Sequence, residues 1–95
     1  MRKIENENGY ILFDIDDMNE DDLVIEKVEA YEKRKGTGTL LVKQVIQIAQ
    51  KEGKGLTLCA YPQDDSIELS DLVKFYEKLG FSVEYDDGSE VLMRY

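Results

Sequence analysis

The chain has 95 residues, 42% of them hydrophobic, with one Pro and seven Gly, which predicts one folded domain over 1–95 with a core that needs no crosslinks. A single Cys excludes an internal disulfide framework, and the lack of His excludes histidine triads and histidine-bearing zinc sites; no metal is expected. Twelve Lys and Arg against 21 Asp and Glu give a formal net charge of −9, which repels nucleic acid and anionic membranes and favours cationic molecules and basic protein surfaces.

In chain order, a short strand is predicted around Arg2 to Glu5, then a turn over Asn6 to Asn8. Gly9 to Phe13, with Tyr10, Ile11, Leu12 and Phe13, reads as a second strand. The acid-rich stretch Asp14 to Asp22 is predicted to be a loop. Its acids do not fit a calcium hand, because Asn19 stands where the turn glycine belongs and Ile25 where the bidentate acid belongs. Leu23 to Glu29 alternates as a third strand, with Leu23, Ile25 and Lys27 on one face and Val24, Glu26 and Val28 on the other.

From Thr39 the period becomes helical: Leu41, Val45, Ile48 and Ala49, flanked by Leu40, Val42 and Ile46, form a broad apolar stripe. Thr39 is placed as the N-cap and Gly53 as the C-cap. Leu56 to Ala60 is a strand, ended by Tyr61-Pro62. Ser70 is placed as the N-cap of a second helix, with Asp71 in its first turn, Leu72, Phe75, Tyr76 and Leu79 at helical spacing and Gly80 as its stop. Phe81 to Tyr85 and Val91 to Tyr95 form a closing hairpin, for which Asp87-Gly88 suggests a type I′ turn. The order is β-β-β-α-β-α-β-β, a mixed α/β (α+β) fold. No apolar run approaches the roughly 20 residues of a membrane span, and the N-terminus lacks the apolar core of a signal peptide, so a cytoplasmic setting is expected.

Two features carry chemistry. Lys33-Arg34-Lys35-Gly36-Thr37-Gly38-Thr39 lies between a strand and the start of an amphipathic helix. Backbone amides and the positive end of a helix dipole favour an anion there, glycines permit close approach, and three cations stand together in an acidic chain. A phosphate-bearing ligand follows; the competing reading is a glycine loop with a solvated basic run. The loop is neither a Walker A nor a dinucleotide fingerprint, because no Lys-Ser/Thr follows Gly38 and Leu41 stands where a third glycine would fall. The second feature is Tyr76-Glu77-Lys78-Leu79-Gly80-Phe81, where Tyr76 either presents a hydroxyl to a cleft or is simply core.

Together these segments resemble the GCN5-related N-acetyltransferase (GNAT) family, whose cofactor loop reads Q/R-x-x-G-x-G/A after a strand ending in Val, and whose later signature ends Tyr-Glu-x-x-Gly-Phe. Lys33 stands at the Gln/Arg position, and Val28 lies eight residues before the first glycine. The resemblance implies acetyl-CoA as acetyl donor. It assigns the backbone of Val28 and Ala30 to the pantetheine arm, and the amides from Gly36 through Thr37, Gly38, Thr39 and Leu40 to Leu41 to the pyrophosphate. Lys33, Arg34 and Lys35 would lie near the phosphates. Tyr76 would protonate the departing thiolate, and a neutral amine would attack the thioester through an oxyanion held by backbone amides. Glu26 is the candidate to take the amine proton, as it shares a face with Val28; Asp22 lies further back on that face.

Leu69 and Leu72 replace the Asn and Ala that many members carry before the tyrosine. Too little chain precedes Gly9 for the usual N-terminal strand and two helices, which predicts an open acceptor side that suits a protein lysine or is closed by a second copy in a homodimer. The run Ala60 to Ile67 and the ending Leu92-Met93-Arg94-Tyr95 are similar to small phage-type members that act against type V CRISPR nucleases. Acetylation there removes the charge and phosphate contact of a DNA-binding lysine. A polyamine or an aminoglycoside fits the net charge equally. The competing function is a non-catalytic acidic docking module or DNA mimic on the same scaffold; a third is an acetyl-CoA sensor without turnover. Cys59 is expected to be a small buried hydrophobe, Asp64-Asp65 a strand end or an amine contact, and Tyr61 and Tyr85 core or rim aromatics.

Overall fold

The computed structural model describes residues 1–31, 36–62 and 68–95. Its elements are β1 (Arg2–Asn6), β2 (Gly9–Asp16), β3 (Asn19–Ala30), α1 (Thr37–Glu52), β4 (Gly55–Ala60), α2 (Leu69–Lys78), β5 (Ser82–Asp86) and β6 (Val91–Arg94). This is the expected order, with β1 passing into β2 through a tight turn and no helix between them. The chain forms two compact units, Met1–Leu56 and Thr57–Tyr95.

In the first unit β1, β2 and β3 form an antiparallel sheet, with Ile4 opposite Ile11 and Ile11 opposite Val28. α1 packs on β2 and β3. Ile11, Phe13, Leu23 and Ile25 of the sheet and Leu41, Val42, Val45, Ile46 and Ala49 of the helix make the core. Burying a Leu, Ile or Val side chain contributes roughly 1.5–3 kcal/mol, so this stripe is what holds α1 on the sheet. Leu40, placed beside the stripe by its spacing, is 51% exposed instead, because it falls on the outer side of the first turn. Arg2 of β1 also pairs with Glu52 in the last turn of α1 at 2.9 Å, an exposed contact of small energetic weight.

Two predicted boundaries in this unit are corrected. Asp14 to Asp22 is not a loop: β2 runs on to Asp16 and β3 begins at Asn19. Asp16 and Asn19 serve the turn chemistry: Asp16 Oδ1 accepts from the Met18 amide and Asn19 Oδ1 from the Asp21 amide. Asp22 is buried and accepts from Asn19 Nδ2. The first helix starts at Thr37, with Gly36 rather than Thr39 as its N-cap. Gly36 has φ 72°, a left-handed conformation that a β-branched residue resists, so the chain turns into the helix at the glycine. Gly53 ends α1 as expected.

In the second unit β4 pairs with β6 and β6 with β5, all antiparallel. Leu58, Ala60, Phe81, Val91, Met93 and Tyr76 are its buried apolar residues. α2 has Glu68, not Ser70, as N-cap; no side chain caps it, and Ser70 lies in the first turn beside the expected Asp71. The closing hairpin forms, but with a longer loop from Asp87 to Glu90 instead of a two-residue turn. Asp87 Oδ1 accepts from the Ser89 amide, the Ser89 hydroxyl and the Glu90 amide, which makes this wider loop self-sufficient. Those bonds hold the Asp87 carboxyl below its ordinary pKa.

Candidate functional site

At the end of β3 the chain approaches α1. The Tyr31 amide donates to the Asn8 carbonyl at 2.8 Å, which extends the ladder one pair beyond Gly9 opposite Ala30. Asn8 and Tyr31 are therefore a hydrogen-bonded pair, and antiparallel alternation makes Tyr10 with Glu29 the next one. The pairs between them, Gly9 with Ala30 and Ile11 with Val28, turn their N–H and C=O groups away from each other. The backbone groups of Val28 and Ala30 thus point to the edge of β3 remote from β2. That is the side on which sequence reading placed the pantetheine arm.

After Gly36 the first turn of α1 has neither a side-chain cap nor an acid. The Leu40 amide is already bonded to the Gly36 carbonyl at 3.0 Å. Leu41, further along the same ladder, is fully buried. The amides that precede the ladder are those of Thr37, Gly38 and Thr39, fewer than the Gly36-to-Leu41 span read from sequence. Thr37 is 5% exposed and anchors this end in the fold. Lys33, Arg34 and Lys35, the cations expected near the phosphates, lie outside the described residues, as do Asp64 and Asp65.

Glu26 is exposed on β3. Its expected face-sharing with Val28 fails, because the register shifts between Leu12 opposite Lys27 and Phe13 opposite Ile25. Glu26 is the extra residue of a β-bulge, and Val28 and Ile25, opposite Ile11 and Phe13, share the core side. Period-2 counting cannot detect such an insertion. Asp22, placed on that same face, is buried near the hairpin instead.

Tyr76 lies in the last turns of α2, 7% exposed. The end of this helix explains the Tyr-x-x-x-Gly-Phe spacing. The Phe81 amide donates to the Tyr76 carbonyl at 3.1 Å and the Gly80 amide to the Glu77 carbonyl at 3.0 Å, with Gly80 at φ 107°. This is the paired-bond helix stop that calls for glycine and adds an apolar contact across it. That contact is Tyr76 on Phe81, centroids 5.7 Å apart and edge to face, with Phe75 also edge to face on Tyr76 at 5.1 Å. The motif therefore fixes the tyrosine ring rigidly. Phe75 and Leu79, predicted with Tyr76 as one stripe, are only half-buried.

Burial alone pushes the Tyr76 phenol up to about 12. It holds its proton throughout the neutral range, the state an acid catalyst requires. The same shift has a consequence for stability. Folding favours the protonated ring, so its contribution is complete below the ordinary tyrosine pKa and is lost as pH rises from about 10 to about 12. We expect chemical denaturation to lose about 2–3 kcal/mol across that window, and Tyr76→Phe to remove this pH-dependent component.

Cys59 is exposed rather than buried, since β4 turns it to the outer side while Leu58 and Ala60 face in. Partial burial, together with Glu90 and Asp87, raises its thiol pKa, which disfavours the thiolate an acyl carrier would need. Tyr61 and Tyr85 are exposed, at the rim. Among the described residues no group of acidic or Cys side chains is arranged to hold a metal ion. No helix among them is long and apolar enough to cross a membrane.

The element order, the glycine-capped helix and the tyrosine helix stop together match a GNAT fold. Comparison with solved structures agrees. The chain is 40% identical to the anti-CRISPR protein AcrVA5 over 99% of its own length and 96% of that protein, with a TM-score of 0.86. It belongs to the GCN5-related N-acetyltransferase family, as a relative of AcrVA5. A GNAT-family acetyltransferase assignment from Desulfovibrio desulfuricans shares the fold at TM-score 0.73 and 20% identity, with 97% of this chain covered. So does Arabidopsis thaliana Naa50 in complex with the bisubstrate analogue CoA-Ac-MVNAL, at TM-score 0.63 and 16% identity, with 92% of this chain covered. The chain spans only 64% and 63% of these two proteins. No protein-family model matches the chain, and no curated protein matches it in sequence.

Proposed function

We propose that the chain is an acetyl-CoA-dependent N-acetyltransferase whose acceptor is an amine on a cationic partner, a lysine of a protein surface. The observation that carries this reading is the start of α1, a helix entered through a left-handed glycine with no side-chain cap and no acid in its first turn. Such an end suits a pyrophosphate, and the outward backbone of Val28 and Ala30 suits an amide-bearing arm beside it. When bound, acetyl-CoA supplies an acetyl thioester to the acceptor amine. The chain's own residues then have distinct tasks. Gly36, Thr37, Gly38 and Thr39 hold the anion through backbone amides, with Lys33, Arg34 and Lys35 preceding them in sequence. Leu40 and Leu41 anchor that turn to the helix. Tyr76 keeps a proton that it can give to the leaving sulfur, and Glu26, exposed at the bulge, takes the proton from the amine.

Three considerations support an amine on a protein or peptide as acceptor, a class that includes lysine. The net charge of −9 attracts basic surfaces. The relative AcrVA5 is an anti-CRISPR protein, and Naa50 is solved with an analogue containing the peptide MVNAL, whose amine is its N-terminal one, which supports a peptide-borne amine as acceptor. In an anti-CRISPR role, acetylation removes the charge of a lysine that grips nucleic acid. The test is incubation with acetyl-CoA and, separately, a lysine-rich peptide, a polyamine and an aminoglycoside. Release of free thiol and the acetylated acceptor are both measured. Acetyl on the peptide lysine is expected. Transfer to the small amines alone overturns the lysine assignment, and no thiol release with any of them overturns the transferase in favour of an acidic docking module.

A further inference from the structure

The β1–β2 turn sits beneath the end of β3 and the start of α1, and nothing in its sequence singles it out. Three observations converge on it. Gly9 lies opposite Ala30 in a pair whose backbone groups point apart, the closer kind of antiparallel pair. A Cβ built on Gly9 would overlap the Glu29 carbonyl oxygen, and would stand 3.0 Å from Thr37 Cγ2 and 3.1 Å from Ala30 Cα. The carbonyl and Cα are main-chain atoms that cannot move aside without moving β3 itself. The turn is also braced from within. Asn6 Oδ1 accepts from the Asn8 amide at 2.8 Å, and the Asn8 carbonyl accepts from the Tyr31 amide at 2.8 Å. One glycine thus touches both walls of the proposed cradle, the Glu29–Ala30 end of β3 and the first residue of α1, and the Asn6–Asn8–Tyr31 chain of bonds holds it there.

We infer that Gly9 is a positioning residue for coenzyme A: its missing side chain sets the separation of the β3 end from the α1 N-terminus, and the Asn6 side chain locks the turn that carries it. This rests on the reading of the site as a coenzyme A cradle. Any side chain at position 9 drives β3 and Thr37 apart, so the backbone groups of Val28 and Ala30 and the amides of Thr37 to Thr39 no longer match one ligand. Asn6 acts at one remove, and its loss loosens the same geometry without adding atoms.

The test is calorimetric titration of coenzyme A into the wild-type chain, Gly9→Ala and Asn6→Ala, at a temperature where circular dichroism shows each to be folded. Gly9→Ala should weaken the dissociation constant at least tenfold and Asn6→Ala about two- to fivefold. A merely structural role lowers the unfolding temperature but leaves the affinity of the folded fraction unchanged. Gly9→Ala binding within twofold of wild type overturns the inference. If Gly9→Ala does not fold, an unchanged affinity in Asn6→Ala overturns it. Failure of the wild-type chain to bind coenzyme A overturns the cradle reading, and the inference with it, so the two failures are told apart by the wild-type titration.

Discussion

Replacing Tyr76 with Phe should lower acetyl-transfer turnover by about 10²-fold or more while the affinity for acetyl-CoA changes by less than about twofold. The substitution deletes one hydroxyl and keeps the ring that packs against Phe75 and Phe81. Burial is the only cause of the raised phenol pKa, and the hydroxyl has no hydrogen-bond partner among the described residues. The hydroxyl is not among the buried polar atoms left without a partner, and its loss breaks no hydrogen bond to a described residue, so the variant should unfold near the wild-type temperature. Lost turnover therefore reports chemistry rather than a damaged fold. The pH profile adds a second readout. With the phenol pushed up to about 12, loss of its proton cannot limit the rate at neutral or mildly alkaline pH. An alkaline decline near pH 8 in the wild-type enzyme must belong to another group and should persist in the variant's residual activity. Turnover equal to wild type would return Tyr76 to the core and leave the helix stop as the motif's whole purpose.

The parts of this fold legible in sequence are those set by local physics. The stripe of α1 follows from its period, Gly53 and Gly80 mark helix ends because left-handed backbone there selects glycine, and the element order follows from the alternation of strand and helix patterns. What escaped was non-local. The bulge at Glu26 is a property of how β3 pairs with β2, and no count along one strand reveals it. The acids of 14–22 look like a loop by composition, yet Asp16, with Asn19, caps the turn of a hairpin whose strands continue through them. Asp87-Gly88 signals a turn correctly, but the length of the loop depends on the Asp87 side chain finding three donors. Ser70 looks like a helix cap by residue type, but the helix begins one residue before it. The site divides in the same way. Gly36 and Tyr76 stand out as candidates because a glycine pair before a helix and a Tyr-x-x-x-Gly-Phe run are local patterns, although the sequence reading places the helix start three residues late, at Thr39. Gly9 is silent, because its reason lies in Glu29, Ala30 and Thr37, far along the chain.

Acetyl-CoA at about 100 times its dissociation constant should stabilise the chain by roughly 2.7 kcal/mol, since a ligand that binds only the folded state shifts unfolding by mass action. For a chain of 95 residues that corresponds to a rise of on the order of 10–20 °C in the unfolding midpoint. The comparison that gives the number meaning is dephosphorylated pantetheine, which keeps the amide arm and lacks the pyrophosphate. If the anion sits on the amides of Gly36 to Thr39, pantetheine at the same concentration should give a small fraction of that rise. Added salt should reduce the acetyl-CoA shift while leaving the pantetheine shift nearly unchanged, because only the charged contact is screened. Equal shifts from the two ligands would place the binding energy on the β3 backbone and leave the glycine-capped helix start without a ligand. No shift from either would make the fold a scaffold whose cofactor site has lapsed. The net charge of −9 would then be the operative feature, a surface for holding a basic partner rather than modifying it.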